Sequence, residues 1–300
     1  MKQLKEQFLT EISGTCGPYP AQVRAEQPLI HLLTNYVTVT DCVNAVLAVG
    51  GKAICSHAPQ EAASVTAGSG ALVLNLGGTE YYEAMLLSAQ QAEKSGIPMV
   101  IDPVGCAASG FRLEMCRKLV QKYHPAAVRG NYAEIAALTD GMIPDAADTA
   151  VPVRGGSKGL DSTGRLNAAE AMRLKAHMRA CAKKYQLVLI ASGETDLCTD
   201  GERLVEITAG TAALRRITGA GCLSTAVLAV FLAAERSAGE SSAASAADDL
   251  DAAAAAVRYI GTAGEYALKA CRKTGTGAGH FHMYFMDMLS AGDEVFAEQI

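Results

Sequence analysis

Short apolar runs alternate along the chain with stretches of helical periodicity. Leu29–Leu33, Ala71–Leu76, Met99–Ile101, Ala126–Val128 and Leu187–Ala191 are each nearly continuous in apolar character. Each ends in polar or glycine residues: Thr34-Asn35, Gly77-Gly78, Asp102-Pro103, Arg129-Gly130-Asn131 and Ser192-Gly193. Parallel strands buried on both faces read this way. Helical patterns fill the gaps, at about 39–49, 59–67, 80–95, 111–123, 131–139 and 167–184. Repeated βα units predict an α/β fold with a mostly parallel central sheet and helices on both faces. Ligands of such sheets bind at the carboxyl ends of the strands.

The pattern then changes. Asp196–Asp200 and Arg203–Ile207 flank Gly201-Glu202, which predicts a hairpin. Helices follow at about 221–236, 246–273 and 281–290. An N-terminal helix is expected over about 1–15, a longer surface loop over 142–161 and a solvated loop over Ala238–Ala247. No linker or repeat divides the chain, so residues 1–300 read as a single domain.

Composition narrows the function classes. The 300 residues carry a net charge of −5 and no Trp. Without a basic run or stacking aromatics, a nucleic-acid binder is disfavoured. Nine scattered cysteines with no C-x-x-C favour a reducing compartment and no zinc ribbon. The amphipathic Met1–Ile12 is no signal peptide. The most apolar stretch, Leu223–Ala234, is shorter than the ~20 residues a bilayer span needs. The expectation is a cytoplasmic protein with no membrane segment.

Several polar groups fall at the predicted strand ends. Gly219-Ala220-Gly221 opens a helix, where bare backbone N–H groups hold an anion or simply make a tight turn. It lacks the G-K-[ST] of a Walker loop and the third glycine of a dinucleotide fingerprint. Asn131-x-x-Glu134 suits either a capping box or the few protein ligands that Mg²⁺ takes. Asp102, before Pro103, is an acid at the sheet edge or a turn initiator. Together with Arg129 these groups suit metal-assisted phosphoryl transfer. The dispersed His31, His57, His280 and His282 read as structural or surface residues, with His57 the one nearest a site. Asp248, Asp249 and Asp251 are explained by a helix dipole.

At these residues the chain resembles the hydroxyethylthiazole kinases, a family of the ribokinase-like superfamily. The resemblance rests on Pro28–His31, Thr34–Thr38, Asp41–Asn44, Gly96–Pro98, Asp102–Gly105, Val128–Ala136, Ser192–Glu194, Asp200–Arg203, Thr218–Cys222 and the tail Gly275–Met288. It covers about residues 25–290.

The resemblance implies a ribokinase-like three-layer sandwich. It implies that ATP with Mg²⁺ phosphorylates the primary alcohol of 4-methyl-5-(2-hydroxyethyl)thiazole, for thiamine phosphate synthesis. Arg129, Ser192, Asn131, Gly219 and Gly221 then contact the nucleotide, and Asp102 and Glu134 manage the metal. Asn35, Val37, Cys55 and Gly219 line the thiazole. Cys222, at a helix N-terminus that favours thiolate, aligns or deprotonates the hydroxyl. A homotrimer is implied, with interface active sites that take Asn35 and Cys55 from one subunit and the glycine loop from another. Cys55 stands where the family commonly has Met, Ser192 where it has Thr, and Ala220 where Thr is frequent. Other readings are a hydroxymethylpyrimidine kinase, an NAD(P)H-hydrate dehydratase, or a non-catalytic thiazole- or nucleotide-binding regulator. The Thr34–Thr38 block and Cys222 disfavour the first two.

Overall fold

A computed structural model of the chain describes residues 1–143, 166–238 and 246–297. In chain order its strands are β1 (Leu29–Leu33), β2 (Lys52–Ile54), β3 (Ala71–Asn75), β4 (Met99–Asp102), β5 (Ala127–Asn131), β6 (Val188–Ser192), β7 (Asp196–Thr199) and β8 (Leu204–Ile207). The helices are α1 (Lys2–Thr15), α2 (Tyr19–Glu26), α3 (Val39–Val49), α4 (Pro59–Ala67), α5 (Tyr82–Ser95), α6 (Gly110–Tyr123), α7 (Tyr132–Thr139), α8 (Ala168–Tyr185), α9 (Ala220–Ala238), α10 (Ala246–Thr274), α11 (Ala278–Leu289) and α12 (Glu294–Ala297).

All eight strands form one sheet, in the order β2-β1-β3-β4-β5-β6-β7-β8. It is parallel from β2 through β6, and β7 and β8 close it as the expected antiparallel hairpin. Successive strand residues face opposite layers. Ile30, Leu32, Val73 and Ile190 pack with α1, α2, α3, α9, α10 and α11. Leu33, Leu72, Leu74 and Leu189 pack with α5, α6, α7 and α8. Burial on both faces is why these strands read as unbroken apolar runs. The three layers are those expected.

Three elements escape the periodicity: β2, α2 and the four-residue α12. Strand β2 sits at the sheet edge, and its residues are exposed or half-buried. It therefore carries no apolar run. Helix α2 tolerates Pro20 because proline in a first turn lacks only an N–H that is unsatisfied there anyway.

The apolar stretch Leu223–Ala234 belongs to a longer apolar helix than expected. Helix α9 has 19 residues, and Ala220–Ser237 is long and apolar enough to cross a membrane by length and composition. Its apolarity serves the core instead. Leu223 and Ala226–Ala234 are buried against β1, β3, β4, α3 and α10. Arg236 and Asp249, paired at 2.7 Å, join α9 to α10. Asp251 binds Arg203 at 3.0 Å. These aspartates therefore serve ion pairs beyond the helix dipole. Of the expected 142–161 loop, Met142 is buried, and residues 144–161 lie outside the described segments, as do 239–245 of the second loop.

Candidate active site

The site forms where β1, β3, β4, β5 and β6 end and α9 begins. Its chemistry divides between a cavity and an adjoining cluster of buried polar side chains.

The cavity has a volume of about 590 Å³, within the usual range for small-ligand sites. Its polar end holds Arg129, Asn131, Ser192, Gly219 and Gly221, and Ala209, Leu214, Val257 and Ile260 contribute an apolar side. Five of the predicted nucleotide residues thus surround one space. Gly219 has φ +77°, and a Cβ there would lie 2.6 Å from Thr38 Cγ2. Backbone conformation and close packing both demand glycine. Arg129 is buried, and its Nη1 donates to the Gly221 carbonyl at 3.0 Å. Its buried Nε has no hydrogen-bond partner within the chain. Ser192 Oγ donates to the Gly130 carbonyl at 3.1 Å, which locks β6 against β5.

Beside the cavity lies a cluster of buried polar side chains. Asp102 ends β4 directly beside Asn75 of β3. Asn75 Nδ2 donates to Asp102 Oδ2 at 2.8 Å. Asn35 Nδ2 donates to Asn75 Oδ1 at 3.1 Å and lies 3.8 Å from Cys222 Sγ. Val37 takes part through its backbone, donating to Asn35 Oδ1 at 3.1 Å, while its side chain is exposed.

Burial raises the Asp102 carboxyl to about 7, aided by the nearby Glu134 carboxylate. Arg129 and hydrogen bonds from Cys222 and Thr225 oppose that rise. The Cys222 thiol is also pushed up, first by burial, then by Asp102 and Cys42. The expected thiolate is overturned: burial and a neighbouring acid outweigh the helix N-terminus.

Asn131 and Glu134 form the capping box of α7. Asn131 Oδ1 accepts from the Glu134 amide, and Glu134 Oε2 accepts from the Asn131 amide, both at 2.9 Å. Glu134 Oε1 also accepts from Gly105 N at 2.9 Å, which ties the cap to the turn after Asp102. Among the described residues no group of three His, Cys, Asp or Glu could hold a metal.

Cys55 does not reach the cavity. It follows the edge strand and is half-buried against the α3 side of the core. His57 packs at a tilt against Tyr81 with ring centroids 4.1 Å apart, and His31 is buried between Thr66 and Ser56. His282 sits 3.4 Å from Asp41. The predicted division of Asn35 from the glycine loop is corrected too. The end of β1 and the start of α9 meet within one chain, so Asn35 touches Cys222 there.

Two site residues, Asn75 and Thr225, escape the sequence reading. Asn75 had a signal: an amide ending an otherwise apolar strand. Thr225 had a weaker one, lying three residues after Cys222 on a helix. Asp196, in the Ser192–Asp196 turn that reads either as a strand-end site or as a polar turn, is half-buried, lines the cavity and accepts from Gly193 N at 2.8 Å.

A sequence model of the hydroxyethylthiazole kinase family matches residues 21–294. The hydroxyethylthiazole kinase of Desulforudis audaxviator is 37% identical over 84% of this chain and 83% of its own length. The structure of a hydroxyethylthiazole kinase from Pyrococcus horikoshii superposes with a TM-score of 0.74 at 24% identity, covering 100% of this chain and 97% of that one. A ribokinase-like superfamily protein from Enterococcus faecalis superposes at 0.53 with 11% identity, covering 91% and 90%. These superpositions establish the ribokinase-like fold.

Proposed function

The chain belongs to the hydroxyethylthiazole kinase family, and from that premise we propose how its residues divide the work. The substrate in this reading is the primary alcohol of 4-methyl-5-(2-hydroxyethyl)thiazole, and the product is the thiazole phosphate used in thiamine salvage. ATP is the phosphate donor, as for kinases of this family. One observation carries this division: Gly221 lines the cavity while Cys222, the next residue, faces Asn35. Donor and acceptor spaces therefore meet at the first turn of α9.

In this reading the apolar side of the cavity takes the nucleoside. Gly219, Gly221, Arg129, Ser192 and Asn131 take the phosphates with backbone amides, a guanidinium and side-chain polar groups. Bare amides and Arg129, with Arg215 also in the cavity wall, handle a polyanion without a basic surface. Asn35 and Val37 receive the alcohol. Cys222, as a thiol, orients its hydroxyl. A strong base is not required, because the hydroxyl proton leaves late in a loose transition state. Positioning then supplies much of the acceleration.

Asp102 and Glu134 suit Mg²⁺. They are two carboxylates near enough to disfavour each other's charge, with no third ligand among the described residues. That sparse set matches an ion held mainly by phosphate and water. When bound, such an ion neutralises charge on the transferring phosphoryl group.

We further propose one kinase domain over 1–300, since every strand among the described residues joins one sheet. A cytoplasmic location supplies the ATP. A homotrimer is supported by exposed Tyr36, Val37, Leu47, Ile54 and Met283, in or beside α3 and the β2 and α11 that pack on it. In it, Cys55, beside the edge strand, approaches the acceptor end of a neighbouring copy. The reading is tested by ATP turnover against a panel of hydroxyethyl-thiazoles and hydroxymethyl-pyrimidines, with products identified by mass. A phosphorylated thiazole is expected. Phosphorylation of the pyrimidines alone would overturn it.

A further inference from the structure

We infer that Asn75 is a positioning residue that couples the alcohol-receiving end of the site to the Asp102 carboxylate, through two side-chain amides each locked in one orientation. The inference rests on the thiazole-kinase reading.

Asn75 is 1% exposed and lies in the sheet between β1 and β4. A buried amide is costly unless its polar atoms are paired. Asn75 Oδ1 accepts from Gly77 N at 3.0 Å and from Asn35 Nδ2 at 3.1 Å, and its Nδ2 donates to Asp102 Oδ2 at 2.8 Å. The orientation is not free. A backbone N–H only donates, so the amide oxygen must face Gly77 and the NH₂ must face Asp102.

The same logic applies at Asn35. Val37 N holds its Oδ1 at 3.1 Å, which leaves Nδ2 for Asn75 and for Cys222 Sγ. Gly77 closes the arrangement. A Cβ there would stand 2.8 Å from Asn75 Oδ1 and 3.2 Å from Asn35 Nδ2, so the turn fits over the amides only as glycine. Hydrogen bonds therefore run one way, from the Val37 amide through Asn35 and Asn75 to Asp102. Displacing Asn35 as the alcohol docks moves the donor that holds Asp102. Bonds in such a chain also strengthen one another.

The test is a double-mutant cycle on the full-length enzyme, with 4-methyl-5-(2-hydroxyethyl)thiazole and ATP. Asn75→Ala, Asn35→Ala and the double variant are compared for kcat per folded enzyme, both KM values and melting temperature. Each single variant is expected to lower kcat about 10- to 100-fold, the scale of a lost hydrogen bond to a charged group. The KM for ATP should stay within about threefold of the parent's, and the double variant should fall no more than about threefold below the weaker single one. Multiplicative losses in the double variant overturn the coupling. So does a melting-temperature drop with kcat and both KM values unchanged, which is what a purely structural Asn75 would produce. If Asn75→Ala does not fold, Asn75→Ser takes its place in the cycle under the same criteria. The parent enzyme is assayed beside them. If it leaves the thiazole alcohol untouched, the kinase reading fails and this inference with it; if it turns over and the cycle is additive, only the inference fails.

Discussion

The amide nitrogen of Asn35 and the sulfur of Cys222 stand 3.8 Å apart within one chain, although 187 residues separate them. Each copy therefore completes this part of the site alone. Mixing Asn35→Ala and Cys222→Ala proteins, unfolded and refolded together, is expected to restore no activity. Recovery above the sum of the separate proteins would show that working sites combine the two residues from different copies.

Cys222 is held as a thiol by burial and by Asp102. Cys222→Ser should therefore keep kcat within about tenfold, the worth of one neutral hydrogen bond. Its pH profile should match the parent's from pH 6 to about 9. An alkaline rise in kcat present in the parent and lost in the serine variant would restore the thiolate base.

Arg129 spans β5 and the first turn of α9 through the Gly221 carbonyl. Its guanidinium acts as a fork that lysine cannot reproduce. Arg129→Lys is expected to raise the KM for ATP about 10- to 100-fold, with a smaller change for the thiazole alcohol. A change confined to the alcohol KM would move Arg129 out of the nucleotide site.

Gly219 combines φ +77° with the close approach of Thr38. Gly219→Ala should cost about 1–3 kcal/mol in denaturant unfolding and most of the activity. Thr38→Ser removes the Cγ2 methyl. Added to Gly219→Ala, it should recover part of the stability, because it relieves the contact and leaves the backbone strain. No recovery would place the whole cost in the backbone.

The Asp102 carboxyl is raised from 3.8 to about 7 in the folded protein. Between those values the unfolded chain gives up a proton that the native state keeps. Rising pH therefore removes stability across this window, and the loss is complete above about pH 7. In protein free of nucleotide and divalent ions, Asp102→Asn should flatten that slope, raise the melting temperature near pH 7.5 and abolish turnover. A slope unchanged by the substitution would assign it to other groups.

Much of the architecture was legible because it is encoded over short distances. Strands buried on both faces show as apolar runs, and the acids, amides and glycines that follow them mark the sheet's carboxyl edge. The Asn131-x-x-Glu134 cap is a contact across three residues, so spacing alone predicts it. Edge strand β2 stayed hidden because half-buried residues leave no such run.

The sequence by itself determined the layers, the edge where ligands bind and most of the polar groups placed there. Only the tertiary structure decided how those groups are shared between the cavity and the buried polar cluster, that Cys55 stands outside the cavity and that burial and Asp102 push the Cys222 thiol up. It also drew Asn75 into the site. The physical reason is range: periodicity and caps arise from neighbours within about four positions, whereas burial, pKa and cavity walls depend on partners such as Arg129 and Gly221, 92 residues apart.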